Sequence, residues 1–107
     1  MSSQPKASKA TIDVARKIAQ ASLSGECDLL LACRQLSVLL VESTEFDRNT
    51  IDAIVGVASE TDDIPFGDQR EYWAADALRN KDAEAAEYLA RVRRRVETAL
   101  RSLLFAV

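Results

Sequence analysis

The sequence predicts an all-α fold, an antiparallel up-down four-helix bundle with a long C-terminal helix. Three observations carry this expectation. Apolar residues recur at three- and four-residue steps in four separate stretches, no stretch alternates cleanly enough to form a strand, and the connections are short enough to favour antiparallel neighbours. Residues 1–8 read as a flexible N-terminal leader without the apolar core of a signal peptide, and residues 9–107 as a single helical domain.

The first helix is expected over about residues 8–24, where Ile12, Ala15, Ala19 and Leu23 share a face opposite Asp13, Lys17, Gln20 and Ser24. Gly25 follows at the place where a helix takes a left-handed terminator. A second helix is expected over 26–42, with Glu26 and Asp28 in its first turn suiting the positive end of the helix dipole. Its apolar residues cover most of its circumference, leaving a narrow polar stripe of Asp28, Arg34, Gln35 and Glu42. A helix of that kind belongs at the centre of a bundle.

Asp47 or Asn49 can cap a third helix over 50–59, in which Ile51, Ile54, Val55 and Ala58 match the amphipathic template. Gly56 is its weak point, costing about 1 kcal/mol relative to alanine unless a neighbouring helix approaches there. A minor helical turn is expected between residues 68 and 78. The final helix then starts from a cap at Asp76 or Asn80 and reaches about Phe105, with a heptad-like seam of Ala85, Leu89, Val92, Val96, Ala99 and Leu103. At 1.5 Å per residue it would run about 37 Å against about 25 Å for the others. It must overhang the bundle, cover the polar segment before it, or pack on a second copy.

Composition narrows the chemistry. The chain carries a net charge of −3 with 29% charged residues, which disfavours a generic nucleic-acid partner. No run of 18 apolar residues is present to span a membrane, and a cytoplasmic location is expected. Histidine is absent, which removes histidine-dependent triads and the usual zinc sites. Neither of the usual glycine-rich nucleotide cradles occurs. Cys27 and Cys33 would point about 120° apart on one helix, about 9 Å along its axis, so they are expected as free thiols rather than a disulfide. No cofactor is called for. The basic run Arg91, Arg93, Arg94 and Arg95 spreads around its helix, with Glu87 four before Arg91 and Glu97 four before Arg101, and reads as a solvated, salt-laced face, with a minor role in binding an acidic partner as the alternative.

The stretch 59–76, SETDDIPFGDQREYWAAD, departs from simple packing logic. It holds the only tryptophan and six of the seventeen acidic residues. A calcium loop started at Asp62 places Gly67 correctly but puts Ile64, Phe66 and Trp73 at ligand positions, so that template fails. The candidate residues are Glu60, Asp62, Asp63, Arg70, Tyr72 and Trp73. One reading makes them a structural cap, in which the acids cap helices and receive Arg70 while Trp73 closes the core, its indole N–H and the Tyr72 hydroxyl reaching polar partners. The other makes Tyr72 and Trp73 anchors of an interface, because Trp, Tyr and Arg dominate binding hot spots.

The pattern Ser59-Glu60-Thr61-Asp62, Pro65, Gly67, Arg70, Trp73, Asp76-Ala77-Leu78 and Lys81-Asp82 resembles a family of small, uncharacterised bacterial all-helical proteins. The resemblance implies an all-helical fold and a bacterial origin, supplies no catalytic residues to carry over, and suggests that Glu60, Thr61, Asp62, Arg70 and Trp73 form one unit. The function expected is a non-enzymatic protein–protein interaction module, with its contact surface around 59–76 and the C-terminal helix. Two alternatives stand beside it: a homo-oligomeric bundle built on the final seam, and a divalent-metal or ligand-binding enzyme using the carboxylates of 60–71.

Overall fold

The computed structural model describes residues 9–105, and the expected leader 1–8 lies outside them. Among the described residues the chain forms α1 (Lys9–Leu23), α2 (Leu29–Leu40), α3 (Arg48–Glu60), a short 3-10 helix (Gly67–Tyr72) and α4 (Ala75–Phe105), with no strand. The all-helical class and the long C-terminal helix are therefore present as the sequence predicts.

Local chemistry sets the boundaries. At the end of α1 the Glu26 N–H bonds the Ala21 carbonyl at 2.8 Å and the Gly25 N–H bonds Ser22 at 3.2 Å, with Gly25 at φ +89°. That pattern is a Schellman terminator, and it needs glycine at the left-handed position. Because Glu26 completes the end of α1, it cannot open α2. Asp28 is instead the N-cap, its Oδ1 accepting from the N–H groups of Leu30 at 2.9 Å and Leu31 at 3.1 Å. Of the two caps expected for α3, Asp47 serves, accepting from Thr50 N–H at 3.3 Å. The largest boundary correction concerns α4. It begins at Ala75, one residue ahead of Asp76 and five ahead of Asn80, the two expected caps, so Asp76 lies inside its first turn, where the acid suits the dipole and pairs with Arg79. The expected minor turn is the 3-10 helix.

Packing runs as a ring, with α1 against α2 and α4, and α3 against α2 and α4. The core between them holds Ala15, Ala19, Leu30, Cys33, Leu36, Leu40, Ile51, Ile54, Val57, Val96, Leu100 and Leu103. In such a ring no helix is surrounded, so the apolar circumference of α2 does not make it central. Its outward face leaves Val38 79% exposed. Both cysteines are free; Cys33 is buried, and burial first, then the Asp28 charge, pushes its thiol up to about 12. Phe46, in the connection before α3, is buried and closes one end of the core. Nearby, Arg16 Nε donates to the Leu103 carbonyl at 3.2 Å, satisfying an acceptor in the last turn of α4.

Helix lengths do not match. With 31 residues α4 extends about 46 Å, against about 18–22 Å for helices of 12 to 15 residues. Its fully buried residues, Val96, Ala99, Leu100 and Leu103, all lie in the C-terminal third. The overhang shows in the dimensions, 52 × 29 × 21 Å, and in a radius of gyration of 14.8 Å against about 13 Å for a compact chain of this length.

Gly56 has no packing reason to be glycine. A Cβ built there meets nothing within 4 Å, and its φ is not left-handed. Replacing Gly56 with alanine is expected to stabilise the fold by about 1 kcal/mol. Chemical denaturation checks this, and a loss of stability would show that α3 needs the glycine after all.

Candidate interaction site

The segment after α3 is built from the inside outward. Thr61 stops the helix: its N–H bonds the Val57 carbonyl at 3.1 Å and its hydroxyl donates to the same oxygen at 2.7 Å, so the side chain is satisfied although almost fully buried. The Ile64 N–H then bonds back to Thr61 at 3.1 Å, closing a turn that buries Ile64 and Pro65. Arg34, the lone cation among the apolar residues of α2, reaches this turn. Its Nη2 donates to the Thr61 carbonyl, and its guanidinium lies 4.7 Å from the centroid of the Phe66 ring. One side chain thus ties α2 to the end of α3 and to the start of the segment. Gly67 at φ +59° lets the chain turn into the 3-10 helix, none of whose residues is buried.

Ion pairs hold the outer half against the overhang of α4. Arg70 makes a two-pronged pair with Asp82, at 2.8 and 2.9 Å, and Lys81 holds Asp63 at 2.5 Å while also reaching Glu84 at 3.5 Å. The hydrogen bond from Arg70 lowers the Asp82 carboxyl below the usual carboxylate range, and that from Lys81 does the same for Asp63. Tyr88 donates to Glu60 at 3.2 Å. Burial, followed by this bond, raises the tyrosine hydroxyl.

The six candidate residues do not form one site. The segment is a ridge, and they divide among three clefts. Glu60 faces a cleft of about 280 Å³ between α3 and α4, which Asp63, Glu84, Glu87, Tyr88 and Arg91 also line. Arg70 borders a second, of about 390 Å³, walled by Leu30, Pro65, Phe66, Asp82 and Leu89. Asp62, Asp63, Tyr72 and Trp73 share the third, of about 470 Å³, with Ile64, Pro65 and Gln69.

Two expectations about this segment are corrected. Arg70 is received by Asp82 on α4 rather than by an acid of the segment, because the 3-10 helix lies alongside the overhang. Trp73 does not close the core. Phe66 packs against it instead, while Trp73 stays 36% exposed and Tyr72 88% exposed, and neither the indole N–H nor the Tyr72 hydroxyl has a partner among the described residues.

The carboxylates are likewise dispersed. Among the described residues no three acids or thiols converge as metal ligands would. The α4 seam finds its partners within the chain, with Val96, Ala99 and Leu103 buried and Ala85, Leu89 and Val92 packed against the core.

Sequence reasoning missed Arg34, Thr61 and Phe66 as a unit, though a single arginine in a leucine-rich helix was a visible signal. Lys81 and Asp82 stood in the resemblance pattern and prove to be the clamp residues. No family model, curated protein or solved structure matches the chain.

Replacing Arg34 with alanine removes a hydrogen bond from a charged donor and a cation–π contact, and should cost about 2–3 kcal/mol. Urea denaturation measures it, and a loss below about 0.5 kcal/mol, the scale of an ordinary surface substitution, would deny the residue that role.

The acid response follows from the clamps. Asp63 and Asp82 bind protons more weakly folded than unfolded, so their pairs stabilise the segment above about pH 4 and lose that effect as pH falls through the lowered folded values. Fluorescence of the sole tryptophan should therefore change before helical circular dichroism does, and Asp82→Asn should show the released signal already at neutral pH. A single coincident transition in the unsubstituted chain would refute this.

Proposed function

We propose that this chain is a non-enzymatic protein–protein interaction module whose contact surface is the ridge 59–76 with the adjoining face of α4. The single observation that carries this reading is the pair of aromatic side chains, Tyr72 and Trp73, presented beside one cleft, with Tyr72 88% exposed. A large side chain whose only role is to fill a core does not stay this exposed, whereas interface anchors do. The reading takes α1–α4 as an antiparallel up-down bundle, supported by short connections and by the ring of neighbouring helix pairs.

Charge indicates the kind of partner. Residues 59–76 hold six acids and one arginine, and the whole chain has a pI near 4.9, which favours a basic protein surface and disfavours nucleic acid. Among the described residues no helix is long and apolar enough to cross a membrane, and a cytoplasmic location is part of the proposal.

Tyr72→Ala and Trp73→Ala should each abolish capture of the same partner from a lysate of the source organism while helical circular dichroism stays unchanged. Retention of that partner by both variants would overturn the assignment of the surface.

A further inference from the structure

Within that reading, we infer that the Tyr72–Trp73 cleft takes an extended, proline-containing segment that carries a basic side chain. The inference rests on the surface proposed above and adds the chemistry of its occupant.

Hydrogen-bonding capacity points to it first. Trp73, Tyr72 and Gln69 line the cleft, and none of their side chains has a hydrogen-bond partner among the described residues. The indole N–H can only donate, and the Tyr72 hydroxyl and Gln69 amide can donate as well as accept, so a ligand with free carbonyl acceptors can be received beside the Asp62 and Asp63 carboxylates. A polyproline II strand is such a ligand, because its backbone carbonyls make no internal bonds and each proline lacks an N–H.

Shape and charge agree. Two aromatic side chains beside buried Pro65 offer flat apolar walls for pyrrolidine rings. Asp62 lies in the same cleft, exposed and in no ion pair, whereas its neighbour Asp63 is already held by Lys81. Asp62 is thus the carboxylate left to receive a basic side chain, and the surrounding segment, with six acids and one arginine, reinforces the sign. Competing modes fit less well. Strand addition needs a sheet edge, and the described residues contain no strand. The cleft's volume of about 470 Å³ lies within the about 300–1,000 Å³ of ordinary ligand clefts.

The test titrates the full chain with a synthetic peptide, APPRPPRPPA, following Trp73 fluorescence and, independently, heat of binding. Two control peptides replace every arginine with glutamate or every proline with glycine and serine. Saturable binding is expected that weakens as salt rises, with each control at least about ten-fold weaker. Tyr72→Ala should weaken binding about thirty-fold, the scale of a hot-spot truncation. Asp62→Asn should erase the preference for arginine over glutamate while leaving helical circular dichroism unchanged.

Equal binding of the proline and glycine–serine peptides, or no saturable binding, overturns the inference. The two readings fail separately. If partner capture depends on Trp73 but excess proline peptide does not compete, the surface stands and this occupant is wrong. If capture is indifferent to both Trp73 and Tyr72, the surface itself is wrong and the inference falls with it.

Discussion

A 31-residue helix set beside helices of 12 to 15 residues extends beyond them at its N-terminal end. Leu78 and Lys81 on that extension, and Ala85, Tyr88 and Leu89 where it meets the edge of the core, are neither fully apolar nor fully polar and remain only half-buried. An uncovered turn of this composition would expose apolar surface, and an isolated helical extension is marginal in water without packing. The chain resolves the mismatch by folding the residues between α3 and α4 back along the overhang. Every feature of the ridge follows from that arrangement: the early stop at Thr61, the left-handed turn at Gly67, and two ion-pair clamps that reach α4 at consecutive residues, Lys81 and Asp82.

The two halves of the ridge are held by different physics. Its inner half is fixed by Arg34, whose hydrogen bond to Thr61 and stacking on Phe66 draw on partly buried groups, together with buried Ile64 and Pro65. Only arginine combines a planar face for the ring with donors directed at a carbonyl, so lysine is no substitute there. The outer half rests on exposed ion pairs, which are screened by salt and contribute little individually. Strength therefore falls from Arg34 outward toward Tyr72 and Trp73.

Helix existence was legible because each helix carries a strong period of its own. Ile51 and Ile54 are buried in α3, as spacing requires, although Val57 is buried where Val55 and Ala58 were expected and those two are half-buried, and Gly25 and Asp47 act as the punctuation their chemistry suggests. The sequence leaves the start of α4 open between Asp76 and Asn80. Residues 75–84 are mostly polar or alanine, so periodicity is weak there, and their helicity depends on contacts from a segment that itself looked like a loop. The roles of the ridge residues were hidden for a related reason. Arg70 and Asp82 are twelve apart with a helix boundary between them, and no local rule pairs residues at that separation. Trp73 was misplaced because a lone tryptophan among charges reads equally as a plug or an anchor. The position of Phe66, already seated against the core, removes the first of these.

Grading stability along the ridge has a consequence for recognition. Segments that bind partners are drawn from the less stable parts of a fold, because they must adjust without unfolding the rest. Here the aromatic pair sits at the weakly held end, and the Arg34 anchor protects the core from whatever happens there. A partner seated between Tyr72, Trp73 and Asp62 would contact the outer half directly and would add its binding free energy to the clamps. Acid or high salt acts on those clamps in the opposite sense. Binding at Asp62 and the aromatic pair thus supports the ordering that the neighbouring clamps maintain, with the core separated from both by the arginine behind them.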